Sequence, residues 1–348
     1  MKYLVFTFSL FILFSCKQQT AEHSHEHQET AYEKKSDYTI VFASCSDQDR
    51  PQPLWLPIIN NNPDLFIWGG DNVYADTDDM AKMEADYNKV WDNKDYQELA
   101  SNTEIIGVWD DHDYGKNDAG KEWTKKAEAQ QLLLDFLKVP EDDVRRSREG
   151  VYFSKMITTS KGKIKIILLD TRYFRTQLKK SEDPNKRYDP WSEEEGGTLL
   201  GKTQWEWFTD ELNDTTADFT MIVSSIQFLS DQHGWEKWGN QQAEVEKMYN
   251  TIASAKAKNI FFVSGDRHMA EISKNELDSK EYPLIDFTSS GLTHTWLTTP
   301  TEENPYRISN VIKQLNFGVL HFNFDTKEIT FEIRGEDNFL YESYTQKY

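Results

Sequence analysis

Residues 65–76 of the chain read LFIWGGDNVYAD, a short apolar run followed by two glycines and a group of polar side chains. The run from Leu65 to Trp68 has the length of a buried strand. Glycine lets the backbone turn sharply or approach a ligand closely. After such a turn, the spacing of Asp71 and Tyr74 lets both side chains point towards one common position. The stretch therefore predicts a strand that presents oxygen ligands at its end, although a strand followed by an Asx turn has the same pattern.

The overall composition limits the possible partners. The chain has 348 residues, a hydrophobic content of 38% and 11 tryptophans, which is enough to build a sizeable core. Its net charge is −20, so no nucleic-acid-binding surface is expected. An acidic protein that acts on phosphate esters needs bound cations to reverse the local field.

Residues 1–16 are predicted to be a lipoprotein signal peptide. Lys2 precedes an apolar run, residues 4–14, that is too short to span a bilayer well. The run leads into LFSC, residues 13–16, which resembles a bacterial lipobox and predicts lipidation of Cys16. An ordinary signal peptide or a short anchor helix is the alternative. We therefore expect an exported protein that is anchored by lipid in the bacterial cell envelope, in the periplasm or at the outer membrane.

The remainder divides into a tether and one domain. Residues 17–37 are rich in Gln, Glu, His, Lys and Ser without an apolar period, which predicts a flexible tether. Residues 38–348 show no internal repeat or obvious boundary and are interpreted as one α/β domain. A β-α-β order at its start predicts neighbouring parallel strands. Apolar runs that read as strands lie at 38–43, 65–69, 105–109, 151–157, 163–169, 219–224 and 260–264, and residues 317–324 and 328–335 read as a closing hairpin.

Four of the predicted strands end in side chains that bind metals. Cys45 follows the first, Asp71 the second, Asp111 and His112 the third, and Asp266 and His268 the last. Each segment alone is an ordinary loop, but four such ends at one sheet edge favour a metal site. Cys45 is also the single cysteine left once the predicted leader is removed.

Four motifs carry a resemblance to a known family. They read FASC at 42–45, GDNVY at 70–74, WDDHDY at 109–114 and SGDRH at 264–268. With these motifs, residues 41–294 resemble the calcineurin-like metallophosphoesterase superfamily and, within it, the alkaline phosphatase D-like (PhoD-like) family. The resemblance implies a sandwich of two mixed β-sheets flanked by helices, with two or more metals at the sheet edge.

The resemblance also implies a set of metal ligands. Asp71 matches the aspartate that bridges two metals, and Tyr74 and Cys45 match a phenolate and a thiolate ligand. Such ligands suit Fe³⁺ better than magnesium. Asp111 would bind a second metal, for which the extra carboxylates favour a hard ion such as Ca²⁺, although another divalent metal is possible. Asp266, His268 and His233 complete the predicted set; a surface-loop role for His233 is the equal alternative.

The other implied roles concern catalysis and substrate binding. His112 would donate a proton or contact phosphate, while Arg267 and Arg172 would hold substrate oxygens in bidentate fashion. A structural salt bridge is the equal alternative for Arg172. Asn72 is assigned to substrate binding. The insert at 175–201 is expected to build one wall of the pocket together with Trp191, Trp205 and Trp207.

These assignments predict a metal-dependent phosphohydrolase. Its catalytic residues would be His112, Asp71 and Arg267, and a metal-activated hydroxide would attack a phosphate monoester or diester. The competing hypothesis is a non-catalytic surface lipoprotein that binds carbohydrate or another ligand. That hypothesis requires at least one metal position to hold a residue unable to coordinate, whereas every matched position here carries a possible ligand.

Overall fold

The first β-sheet contains the strand that was singled out in the sequence. A computed structural model describes residues 1, 3, 36–298 and 301–348; most of the predicted leader, including Cys16, where lipidation is predicted, and nearly all of the predicted tether lie outside the described residues. Six strands form this sheet in the order β14-β13-β12-β1-β2-β3. They are β1 (Tyr38–Ala43), β2 (Leu65–Gly69), β3 (Glu104–Val108), β12 (Phe317–Asn323), β13 (Glu328–Arg334) and β14 (Leu340–Lys347).

The second sheet also has six strands, in the order β10-β11-β9-β8-β5-β4. In the first sheet β1, β2 and β3 are parallel, and in the second β5, β8, β9 and β11 are parallel, so both sheets are mixed. A separate two-stranded sheet pairs β6 (Lys179–Lys180) with β7 (Tyr188–Asp189). The strands of the second large sheet are β4 (Phe153–Thr158), β5 (Lys163–Leu168), β8 (Phe219–Ser224), β9 (Ile260–Ser264), β10 (Ala270–Asn275) and β11 (Leu284–Ser289).

Helices cover the outer face of each sheet. On the first sheet, the indole of Trp68 contacts Trp55, Tyr96 and Phe136, at ring-centroid distances of 5.5, 5.9 and 6.0 Å. On the second sheet, Trp205 and other helix residues share a buried cluster with strand residues. The helices are α1 (Trp55–Ile59), α2 (Met80–Trp91), α3 (Lys94–Asn102), α4 (Asp111–Tyr114), α5 (Lys126–Phe136), α6 (Gly201–Glu211) and α7 (Gln242–Ser254).

The inner faces of the two sheets pack directly on each other. Phe219 of β8 meets Phe322 of β12 at 5.5 Å, and Phe261 of β9 meets Phe331 of β13 at 5.6 Å. These rings belong to one large buried apolar cluster that includes strands of both sheets. The predicted α/β sandwich of two mixed sheets flanked by helices is therefore confirmed, and Lys35–Tyr348 forms one compact unit.

The carboxyl ends of the parallel strands of both sheets meet at one edge. The segment after β1 is joined to the segment after β11, because the Leu292 amide donates to the Ser44 carbonyl at 3.2 Å. The segments after β3 and β8 are joined by the Ser225 hydroxyl, which donates to Asp110 at 2.6 Å. Carboxyl ends of parallel strands are where α/β folds place their ligand sites.

Strands β6, β7, β10 and β14 and the short helix α4 are not predicted from the sequence. Strand β10 and the edge strand β14 are more polar than the core strands, so their apolar pattern is weak. No apolar pattern predicts α4, which has four residues. Within the described residues, the structure contains no helix long and apolar enough to cross a membrane.

Candidate metal centre

Four of the predicted ligands sit in strained backbone conformations. The φ angles of Cys45, Asp71, Asp266 and His268 are 61°, 51°, 68° and 53°, in the left-handed region that side chains other than glycine rarely adopt. Such a conformation costs on the order of 1–3 kcal/mol per residue and persists where the surrounding structure enforces it. Backbone strain of this kind therefore occurs at the strand ends that carry the predicted ligands, as it does at several turns elsewhere in the described residues.

One group of donors combines a sulfur, a carboxylate, a phenol and an imidazole. The Cys45 Sγ lies 3.6 Å from Asp71 Oδ2, and the Tyr74 hydroxyl lies 3.2 Å from the same oxygen. The Tyr74 hydroxyl is also 3.3 Å from His268 Nε2. Donor atoms of Cys45, Asp71 and His268 all lie within 4.8 Å of one another. These residues can hold one metal ion.

Two further groups of donors extend from Asp71 across the cavity. Asp71, Asp111 and His112 form one, and Asp110, Asp111 and Asp266 form the other, each with donor atoms within 4.8 Å. The buried oxygens Asp110 Oδ2 and Asp111 Oδ1 have no hydrogen-bond partner. Since buried polar atoms are normally satisfied, these two oxygens fit a cation.

The pKa values of the acidic side chains in the site also indicate that it needs additional positive charge. Burial raises the pKa of Asp71 well above its usual range, and His112 opposes this effect. Burial likewise raises the pKa of Asp110 to about 7 although Arg172 lowers it, and burial raises the pKa of Asp113 to about 8. Several carboxylates thus lie close together without enough protein cations to neutralise them. Metal ions supply such charge.

His112 lies at the open side of the centre. Its Nδ1 is 2.6 Å from Asp76 Oδ2, and its ring stacks on Tyr74 at a centroid distance of 4.1 Å. Burial lowers the pKa of His112, but the charges of Asp111, Asp71 and Asp76 outweigh burial and raise it to about 11. The Asp76 contact and the Tyr74 stack hold the imidazole in one orientation.

Asp113 organises the backbone beneath the ligands. Its carboxylate accepts from the amides of Asp71 and Asn72, both at 3.2 Å, and from the Asp110 amide at 2.7 Å. The side-chain amide of Asn72 donates to it as well, at 2.6 Å. Asp113 therefore links the end of β2 to the end of β3. Glycine at position 70 is needed nearby, since a Cβ there would meet the Asp110 Cβ at 2.6 Å.

A cavity of about 380 Å³ opens onto these donors. Six of the predicted site residues line it: Asp71, Asp111, His112, Asp266, Arg267 and His268. Cys45 is fully buried behind Asp71. The structure thus brings the predicted ligands together around one cavity, with the exception of His233.

The structure places Asn72, Arg172 and His233 elsewhere. Asn72 is fully buried, and its amide donates to Val108 O and Asp113 rather than facing the cavity. Arg172 is fully buried as well, and it pairs with Asp110 at 2.5 Å and with Glu236 at 2.5 Å. His233 lines a different cavity. Neither Asn72 nor Arg172 can reach a substrate without rearrangement, and for Arg172 the structure matches the salt-bridge alternative.

The aromatic wall also differs from the sequence interpretation. Trp205 is buried in the core behind the second sheet, Trp207 packs on Tyr152 at 4.7 Å, and the Trp191 indole donates to Gln177 O. None of the three lines the cavity of the metal centre, to which the insert contributes Arg187. The tryptophans that do line it are Trp235 and Trp296, because they lie in loops after β8 and β11.

Several residues of the site were missed from the sequence. Asp118 and Glu236 line the cavity and form a donor group with Asp111. His294 packs against His268 at 4.4 Å and against Tyr74 at 4.9 Å. Asp118 lies three residues after the DDHDYG run at 110–115, so its position along the chain could have indicated it. No local sequence pattern indicates Glu236.

The two-sheet sandwich and the donors gathered at its edge define a metallophosphoesterase-type metal protein. A family model described as PhoD-like phosphatase matches residues 40–331. Because this match covers most of the chain, the chain belongs to the PhoD-like phosphatase family.

The individual relatives compared with this chain share less than 30% sequence identity with it. Alkaline phosphatase D of Bacillus subtilis (strain 168) is 29% identical over 119 residues, which are 32% of this chain and only 20% of that protein. The solved structure of PhoD aligns with a TM-score of 0.67 at 16% identity, covering 90% of this chain and 68% of that one. A dimetal phosphatase from Danio rerio aligns with a TM-score of 0.54 at 13% identity, covering 90% and 99%. At these identities the two structures show a shared fold.

Proposed function

We propose that the protein hydrolyses phosphate esters with the help of bound metal ions. The observation that carries this proposal is the convergence of donors from four strand ends on one cavity, with Asp110 Oδ2 and Asp111 Oδ1 unpartnered. Membership of the PhoD-like phosphatase family supports it.

We assign the ligands to two kinds of metal. Cys45, Tyr74, Asp71 and His268 would hold Fe³⁺, because a thiolate and a phenolate favour a redox-capable transition metal. Asp71, Asp111 and Asp266 would hold Ca²⁺ or a similar divalent ion, which prefers carboxylate oxygens. When bound, such cations lower the pKa of water and neutralise the charge that develops on phosphate oxygens.

The protein's own groups position the ester and handle the proton. His112 lines the cavity with Nδ1 held by Asp76, so the imidazole is placed to give a proton to the departing alkoxide. Arg267 lines the same cavity beside Asp266, and its guanidinium offers a cationic contact to substrate oxygens. The phosphate would therefore sit between the acidic strand ends and these two residues.

Metal removal tests the proposed activity. The purified protein is assayed on an aryl phosphate monoester and diester before and after chelation, and its metal content is measured by inductively coupled plasma mass spectrometry. We expect chelation to lower the rate at least about a hundredfold, since metals supply several kcal/mol of transition-state stabilisation. Adding iron and calcium back should restore it. If metal-replete protein hydrolyses neither ester, the proposal fails; sugar binding by metal-free protein would then favour the carbohydrate-binding hypothesis.

We further propose that the protein is exported and anchored to the bacterial envelope through Cys16. The support is the apolar run at 4–14 followed by LFSC at 13–16. In cells grown with an alkyne-labelled fatty acid, wild-type protein should carry the label and fractionate with membranes, whereas Cys16→Ser should be unlabelled. Unlabelled wild-type protein in the soluble cytoplasmic fraction would contradict the anchor.

A further inference from the structure

Two exposed tryptophans border the outer part of the cavity. Trp235 belongs to the loop between β8 and α7, and Trp296 to the long loop between β11 and β12. Their exposed fractions are 41% and 56%, although both line the cavity that holds the metal donors. Each indole therefore leaves a large, flat surface open beside the metal donors. That surface is available to contact the organic part of a substrate.

Contacts within the protein hold both rings in place. The Trp235 indole donates to Glu302 Oε1 at 2.7 Å, and Arg267 Nη2 donates to both oxygens of Glu302, at 3.0 and 2.7 Å. The Trp296 ring lies 5.0 Å from the ring of His268, and its amide donates to the His268 carbonyl. The rings therefore flank the segment 266–268, one beside Arg267 and the other beside the metal-ligand candidate His268.

Each arginine around these rings is paired with a protein carboxylate. Arg267 pairs with Glu302 at 2.7 Å, Arg187 pairs with Asp118 at 2.6 Å, and Arg307 pairs with Glu271. The exposed faces of the two indoles therefore favour contact with an organic group that is flat and apolar.

We propose that Trp235 and Trp296 bind a planar ring in the organic part of the ester, so that the substrate class is a nucleoside monophosphate or a related ring-bearing phosphate. This inference rests on the phosphohydrolase function proposed above. A cavity of about 380 Å³ lies within the ordinary size range of small-molecule sites. Stacking of a base on an aromatic side chain strengthens binding by roughly fivefold to a hundredfold. The phosphate faces the metal donors while the ring contacts the tryptophans.

The test compares two substrates with the same leaving oxygen. Adenosine 5′-monophosphate and ribose 5-phosphate are both primary phosphate esters, and they differ in the adenine ring. We expect wild-type kcat/KM to be about fivefold or more higher for the nucleotide, which is the lower limit of the gain from one stacked base. Trp235→Ala and Trp296→Ala should each lower the ratio of the nucleotide value to the ribose 5-phosphate value by about fivefold.

Matched variants separate stacking from general damage. Trp235→Phe and Trp296→Phe should keep most of the nucleotide preference, since phenylalanine retains an aromatic face. Phe339, which is 61% exposed on the loop before β14, provides a control, and Phe339→Ala should change neither value. Equal wild-type kcat/KM for the two substrates, or a parallel loss on both in the alanine variants, would overturn the inference and leave the hydrolase function intact. Failure on every ester would instead refute the proposed function.

Discussion

Asp71→Ala is expected to lose bound metal and ester hydrolysis together. Asp71 belongs to two donor groups, one with Cys45 and His268 and the other with Asp111 and His112. Its removal therefore weakens both metal positions at once. Losing about 4 kcal/mol of transition-state stabilisation lowers the rate by about a thousandfold. The measurement is metal content by mass spectrometry beside kcat/KM on a phosphate ester.

Asp78→Ala provides the control for this experiment. Asp78 is exposed in the loop that follows the same strand and belongs to none of the donor groups found among the described residues. Its substitution should leave metal content and rate unchanged, and circular dichroism should show that both variants are folded. An Asp71→Ala protein with full metal content and a wild-type rate would refute the assignment of the centre.

Arg172→Met is expected to destabilise the fold by about 3–5 kcal/mol, the usual effect of removing one partner from a buried ion pair. The fully buried Arg172 guanidinium contacts Asp110 and Glu236, and both carboxylates are themselves buried. Burial raises the pKa of both carboxyl groups and Arg172 opposes that rise, so its loss leaves their charges less compensated. Urea unfolding monitored by tryptophan fluorescence measures the loss.

A surface arginine gives the matched comparison. Arg50 pairs with Asp47 at 2.8 Å, but its side chain is 53% exposed, so Arg50→Met should change the free energy of unfolding by less than about 1 kcal/mol. The Arg172 result also separates two roles. If Arg172 held substrate oxygens, Arg172→Met would raise KM without changing the unfolding midpoint, and that outcome would contradict the structural role.

Most of the candidate metal ligands could be predicted from the sequence because each lies close to the end of a strand. Cys45, Asp71, Asp111, Asp266 and His268 each follow a strand within a few residues. A short apolar run identifies a buried strand, and the carboxyl ends of parallel strands share one edge of a sheet. Residues that lie only a few positions from those ends are therefore brought together regardless of the conformation of the longer loops.

Residues carried by long loops were placed less well. His233 has the chemistry of a ligand but lies in a loop of about a dozen residues that turns it towards another cavity. Trp235 and Glu236, two and three positions later, do line the cavity of the metal centre. The choice among them depends on contacts with distant segments, such as Arg172 and Glu302, and these contacts leave no local pattern.

The sequence by itself determined most of the core strands, the glycine turn after β2, the type of donor at each strand end and the family. It did so because strand periodicity and strand-end chemistry are properties of a few consecutive residues. Only the tertiary structure decided that Arg172 and Asn72 lie beneath the cavity, that Asp113 ties two strand ends together, and that Trp235 and Trp296 form the aromatic border. Those positions depend on packing between segments that are far apart in the chain, which spacing along the sequence does not encode.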